Sequence, residues 1–269
     1  ADPSTRGISV KVVQETPAKT TIKIVETTTA LGHQFDELLA DLLELIELHP
    51  GDGVVARVAR RLLAWKEFFA RPSVLSSEQA SGLLAELTVL SQLVLPLIGA
   101  GPAIDSWTGP NPASQDFQLE TGAIEVKSWR GTGLGTLTIS SERQLELIEG
   151  VELVVAYVTV EQRDAGPGPT LGELIADLEG GLSGEPTVQL AYRDKILRAG
   201  WTDSARDARS EHYVLRGVEY FHVTDEFPRI TRSLLPVGIG RVSYQLDRSV
   251  LEPFLISAAD AAALTGLTK

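Results

Sequence analysis

Residues 114–130 read SQDFQLETGAIEVKSWR, and the fold is decided here. Successive strand residues face opposite sides, so QDFQL places Asp116 and Gln118 on one side and Phe117 and Leu119 on the other. IEVKSW places Glu125 and Lys127 together, opposite Val126. Between the two runs, Glu120-Thr121-Gly122 supplies turn chemistry. The expectation is a tight β-hairpin, one end of which gathers two carboxylates and an ammonium. Phosphodiester hydrolysis needs charge neutralisation on a pentavalent phosphate and an activated water. A divalent cation held by carboxylates supplies both. An ion-pair ladder on adjacent strands would show the same spacing, so the surrounding sequence has to discriminate.

Upstream, ISVKVVQ and TTIKIVETTT are short β-rich runs around Pro17, read as a hairpin over residues 7–29. HQFDELLADLLELIEL, VVARVARRLLAWKEFFA and SSEQASGLLAELTVLSQLVLPL carry apolar residues at helical spacing. Pro72 stops the second of these helices, and Ser76 with Gln79 forms a capping pattern at the start of the third. Downstream, GTLTIS reads as a third strand and SERQLELIEG as a short helix. ELVVAYVTVE is so continuously apolar that it reads as a central strand covered on both faces. From residue 77 the order is therefore helix, three strands, helix, strand. TLGELIADLEGGL and TVQLAYRDKILRAG follow as helices, HYVLRGVEYFHVT and VGIGRVSYQL as strands, and the alanine-rich tail as a terminal helix. Residues 1–72 are expected to form an N-terminal β-hairpin and helical segment. Residues 73–269 are expected to form the catalytic-type domain with a C-terminal extension.

The ordered set GLLAEL, WTGPNPASQDF, IEVKSW, ISSERQLE and DEFPRITRSLLPVGI resembles an uncharacterised bacterial family of PD-(D/E)XK-motif proteins encoded beside phage-defence genes. The likeness runs from about residue 35 to 255. It implies an α/β, restriction-endonuclease-like αβββαβ core with a mixed central sheet. In that family picture Asp116, Glu125 and the carbonyl of Val126 bind Mg²⁺, for which Mn²⁺ substitutes. Lys127 orients or deprotonates the attacking water and steadies the transition state. Gln115, rather than proline, precedes Asp116; the proline is not a ligand.

Two further residues stand out beside these. Glu86 falls within the apolar stripe Leu83, Leu87, Leu90 and Val94, and a buried carboxylate needs a partner. The family reading makes that partner the metal site, whereas a core lysine or arginine would serve equally in a structural role. Gln144 closes a capping box with Ser141, while related nucleases place a glutamine near the scissile phosphate. Ser140 and Ser141 can offer hydroxyls or N–H groups to a phosphate. Arg229 and Arg232, in DEFPRITR, can reach DNA phosphates, although Phe227-Pro228 also suits a packed turn. Trp107 and Trp129 suit core packing or base stacking, and GTGLGT at 131–136 lacks the ending of a phosphate loop.

With no cysteine, disulfides, zinc–thiolate sites and cysteine nucleophiles are excluded together. The four histidines show no metal-ligand spacing. A net charge of −12 argues against indiscriminate adhesion to nucleic acid, although arginines bunch locally. The N-terminal ADPSTRG lacks the order of a secretory signal, and no uninterrupted apolar run reaches membrane-spanning length. These readings together predict a cytoplasmic Mg²⁺-dependent DNA endonuclease of a restriction or phage-defence system. Its expected partners are DNA, other subunits of such a system, and a second copy as a homodimer, with no membrane. The alternative is a nuclease-fold subunit that binds DNA or a partner without cutting.

Overall fold

The N-terminal β-rich runs pair with each other: β1 (Ile8–Thr16) and β2 (Lys19–Glu26) form an antiparallel hairpin in register from Ile8↔Glu26 to Thr16↔Lys19. The structure is a computed structural model that describes residues 7–16, 19–27, 32–70, 75–111, 114–131, 133, 135–203 and 205–267. Pro17, residues 28 and 29 of the expected hairpin, and Pro72 lie outside the described residues. The chain divides into two units, Ala1–Leu75 with Arg193–Ala208, and Ser76–Tyr192 with Arg209–Lys269.

In the first unit, α1 (His33–Leu48) buries Leu38, Leu42 and Leu45. Its neighbour α2 (Val54–Phe69) buries Val58, Leu62, Trp65 and Phe68, a helical stripe. Arg61 lies inside that stripe at 6% exposure. Burying a guanidinium is costly unless it is paired, and Asp41 pairs with it on two atoms at 2.6 and 2.7 Å.

The second unit begins with α3 (Ser77–Val89), closed by a capping box between Ser76 and Gln79. The helix continues through a π-helical turn, Leu90–Val94, into α4 (Leu95–Ile98). Pro96 falls in the first turn of α4, directly after the π-helical turn. The run Ser77–Ile98 reaches a hydropathy of 1.7 and is long enough to cross a membrane, but 56% of that window is buried inside the fold. With Glu86 on it, the run is a core helix. Next come α5 (Ala100–Ser106), β3 (Phe117–Gln118), β4 (Gly122–Arg130), β5 (Thr136–Ile139), β6 (Glu152–Arg163), α6 (Leu171–Gly181) and α7 (Pro186–Ala199). After α8 (Ala205–Ala208), β7 (His212–His222), β8 (Tyr244–Asp247), β9 (Leu255–Ile256) and α9 (Ala258–Leu264) complete the chain.

A mixed five-stranded sheet of order β3-β4-β6-β7-β9 organises this unit. β4 and β6 run parallel, and every other pairing is antiparallel. The apolar strand β6 lies at the centre, with its Val154, Val155, Ala156 and Val158 fully enclosed. This is a mixed α/β, restriction-endonuclease-like architecture.

Three local expectations are corrected. GTLTIS does form a strand, β5, but it pairs with β8, from Thr136↔Asp247 to Ile139↔Tyr244, in a separate two-stranded ladder. Both sides of β4 are already taken, by β3 and β6, so β5 cannot extend the motif hairpin as a third strand beside β4. Residues 141–150 are a run of turns rather than a helix. The Gln144 carboxamide that would cap a helix at Ser141 instead accepts the Ser140 N–H at 2.8 Å, and Ser141 Oγ takes the N–H of Arg143 at 3.2 Å. Of VGIGRVSYQL, the strand includes only Tyr244 to Leu246, running on to Asp247, and the preceding residues form a loop.

The end of α7, from Arg193 on, belongs to the first unit, whose helices pair with it by charge. Asp194 meets Arg61 at 2.8 Å and Arg60 at 3.1 Å, Arg193 meets Glu44 at 3.0 Å, and Arg198 meets Glu67 at 3.3 Å. Much of the arginine bunching seen in the sequence is thus consumed by acids of facing helices.

Candidate active site

Parallel pairing sets Glu125 against Val155 and Lys127 against Tyr157. Paired residues share a face, so Ala123, Glu125 and Lys127 look toward the cluster that includes Leu137, Ile139, Leu145, Val155 and Tyr157. Two charged groups have thereby been turned toward a hydrophobic interior. Glu125 is 1% exposed. Lys127 Nζ lies 2.6 Å from Glu125 Oε1 and donates to Gln144 Oε1 at 3.1 Å. The same Gln144 oxygen is anchored by the Ser140 N–H. The Gln144 loop is held in turn by Gln115, whose amide reaches the Gln144 carbonyl at 3.3 Å. Gln115, standing where the motif name carries proline, is therefore a brace.

Asp116 sits at the mouth of the hairpin. Its N–H bonds the Ile124 carbonyl at 3.1 Å, its carbonyl receives the N–H groups of Thr108 and Gly109, and its Oδ2 accepts the Val126 N–H at 2.7 Å. Glu86 arrives from α3 and accepts the indole N–H of Trp107 at 2.7 Å. Both acids press on Gly109. A methyl carbon there would overlap Glu86 Oε2 and lie 3.0 Å from Asp116 Oδ1.

Crowding of like charges away from water raises carboxyl pKa values. Burial, reinforced by Asp116, lifts Glu125 from 4.5 to about 8 despite the Lys127 ammonium. Burial and the neighbouring Asp116 also hold Glu86 well above the usual carboxylate range, against the pull of the Trp107 N–H. Asp116 is raised by burial, partly offset by the Val126 N–H and Lys127. Such a set binds protons unless a cation is supplied.

Glu125 Oε2 is enclosed and has no hydrogen-bond donor. Buried carboxylate oxygens are rarely left so, and hard oxygen donors of this kind suit Mg²⁺ or Mn²⁺. Among the described residues no three acidic or histidine side chains already stand as a closed ligand group. The donor chemistry fits a divalent cation, with Lys127 now occupying one oxygen of Glu125.

The remaining sequence candidates separate. Ser140 is exposed and Ser141 partly so, both beside Gln144. Arg229 is turned inward, donating to the Thr224 carbonyl and pairing with Asp225 at 3.2 Å. Phe227 beside it packs on Phe254 at 5.0 Å. Arg232 stays largely exposed, 4.0 Å from Glu142 in the Gln144 loop. Trp107 is fully buried and Trp129 packs partly buried against the core cluster. Gly133 and Gly135 take positive φ, as a turn requires.

Sequence reasoning missed Gly109 and the polar role of Trp107. The signal was present: WTG immediately precedes the motif hairpin, and an indole N–H in the core needs an acceptor.

The family model DUF4420, described as "Putative PD-(D/E)XK family member", matches residues 5–249. A search of curated proteins and a search of solved structures each return no match.

Proposed function

The chain belongs to this PD-(D/E)XK family, and from that premise we propose that it is a Mg²⁺-dependent endonuclease hydrolysing DNA phosphodiester bonds, acting in the cytoplasm within a restriction or phage-defence system. The observation that carries the reading is the placement of Lys127 Nζ between Glu125 Oε1 and Gln144 Oε1, with Glu125 Oε2 enclosed and unbonded. Asp116, Glu125 and the Val126 carbonyl would hold the cation. When bound, Mg²⁺ supplies phosphate charge neutralisation and a more acidic water.

The side chains divide the remaining work. Lys127 presents a positive charge to the phosphate and orients the attacking water. Gln144 fixes the ammonium, since its carboxamide oxygen is already set by the Ser140 N–H. Glu86, whose carboxyl burial and then Asp116 hold well above the usual range, can hold a proton beside Asp116. Trp107 fixes the orientation of Glu86. Cutting both strands of a duplex would be met by a homodimer.

The test incubates the protein with plasmid and phage DNA in Mg²⁺ or Mn²⁺, beside Asp116→Ala and Lys127→Ala. Cleavage by the parent and loss of at least about 10²-fold in both variants is the expected result. Equal cleavage by all three would end the proposal. Binding without cleavage by the parent would move the assignment to a nuclease-fold DNA- or partner-binding subunit. Mn²⁺ titration by calorimetry should show heat for the parent and none for Asp116→Ala.

A further inference from the structure

From Phe227 to Leu246 the sequence contains three arginines and no acid, in a chain whose net charge is −12. Its middle, residues 234–241, is an exposed loop with apolar side chains turned to solvent: Leu234 is 67% exposed, Ile239 52%, and Val237 wholly so. Single exposed aliphatics are ordinary, but three within six residues on one loop need a reason.

The loop is anchored beside the candidate active site. Glu142, 4% exposed, accepts the Val242 N–H at 3.1 Å through Oε2. Hydrogen bonding to its own backbone, then to the Val242 N–H and to the backbone of Arg241, holds the Glu142 carboxyl below its usual range. Arg241 takes φ 58, a positive value that among the described non-glycine residues it alone has. Two residues on from Glu142 is Gln144, which binds Lys127. Three arginines surround this anchor: Arg143 and Arg241 are exposed, and Arg232 lies 4.0 Å from Glu142 Oε1. Backbone N–H groups already take much of the Glu142 carboxylate, and Arg232 meets it only at 4.0 Å with its own side chain 63% exposed, so the three guanidinium groups present positive charge toward an outside anion.

Resting on the nuclease reading above, we propose that the 232–241 loop is a duplex-DNA wedge. Arg143, Arg232 and Arg241 grip phosphates beside the catalytic groups, and Val237 and Ile239 enter between base steps of the minor groove. Apolar wedges flanked by arginine are a recurrent means of kinking a duplex. Kinking here would open the backbone toward Lys127. The positive charge of the loop on an acidic chain fits a polyanion, and its tie to the Gln144 loop fits the substrate of that site.

The experiment uses full-length Asp116→Ala in Ca²⁺, a labelled duplex with 2-aminopurine at its centre, and end-labelled duplexes for bending by energy transfer. In that background, R232A/R241A should weaken binding at least tenfold at moderate salt and lower the slope of log K against log salt by about 2. V237S/I239S should keep the salt slope but lose most of the 2-aminopurine rise and the bend. Parent-like binding and bending in both double variants would overturn the wedge, as would failure of Asp116→Ala to bind duplex. Selective loss of binding to phosphatidylserine vesicles, with DNA binding unchanged, would overturn it in favour of a membrane contact. The two proposals fail separately. A loop-dependent bend without cleavage by the parent enzyme sinks the nuclease reading alone, and cleavage with an idle loop sinks the wedge alone.

Discussion

Gly109 stands against Glu86 with no room for one more carbon. A Cβ at that position would overlap Glu86 Oε2, lie 2.8 Å from Cδ, and approach Asp116 Oδ1 to 3.0 Å. Glycine is required here by close approach, and the sequence signature of that approach is the tripeptide Trp107-Thr108-Gly109.

Gly109→Ala is therefore expected to push Glu86 and Asp116 off their positions while leaving the sheet intact. Displacement on the scale of an ångström costs about 10²-fold in rate. Plasmid cleavage by the alanine variant should fall by that factor with an unchanged circular dichroism spectrum. Full activity would show that the pair has slack.

Glu125 predicts an inverted pH dependence of stability. Its carboxyl rises from 4.5 to about 8, so between these pH values the folded protein holds a proton that the unfolded chain has lost. This group's contribution is therefore most favourable at low pH and falls as pH rises through about 8. Glu125→Gln removes the titration. In urea melts without divalent cations, the stability of the variant relative to the parent should improve between pH 5 and pH 9 by at least about 1.4 kcal/mol, the equivalent of one pH unit. A difference independent of pH would show that Lys127 compensates the burial completely.

Gln144 is expected to act through Lys127. Gln144→Ala removes the acceptor at 3.1 Å from Nζ and releases the Ser140 N–H. The cleavage rate should drop by roughly 10-fold to 100-fold with little change in the DNA concentration needed for half-maximal rate. Gln144→Glu, which keeps an acceptor, should recover part of the loss. An effect confined to DNA affinity would place Gln144 on the substrate instead.

In the first unit, Arg61→Ala leaves Asp41 and Asp194 facing each other without their shared cation. Breaking a buried pair on one side costs on the order of 3–5 kcal/mol. The unfolding midpoint should fall accordingly, whereas Arg60→Ala, whose side chain is 54% exposed, should change stability by no more than about 1 kcal/mol.

What could be read from the sequence was whatever depends on short-range pattern. The alternation in IEVKSW paired Glu125 with Lys127, the unbroken apolar run of ELVVAYVTVE marked the central strand, and Ser76 with Gln79 marked a helix start that forms. The same capping pattern at Ser141 and Gln144 did not form a helix, because Lys127 competes for the Gln144 oxygen and is distant in sequence. β5 was recognisable as a strand, but its partner was not: ladder vacancy is a property of the whole sheet. Arg229 reads as a phosphate contact in sequence and is bound to its own turn in the fold, a difference set by Phe227 packing on Phe254. Gly109 was missed because close approach leaves no mark on local periodicity, and its one cue is its place in WTG just before the motif hairpin.

The placement of Asp194 has a consequence for biosynthesis. Arg61 and Asp41 are translated well over a hundred codons before it, yet the buried guanidinium acquires its second carboxylate only when residue 194 has left the ribosome. A nascent chain shorter than that holds the first helices with Arg61 paired to Asp41 alone, so the N-terminal part completes its buried charge set only after the sheet synthesised in between.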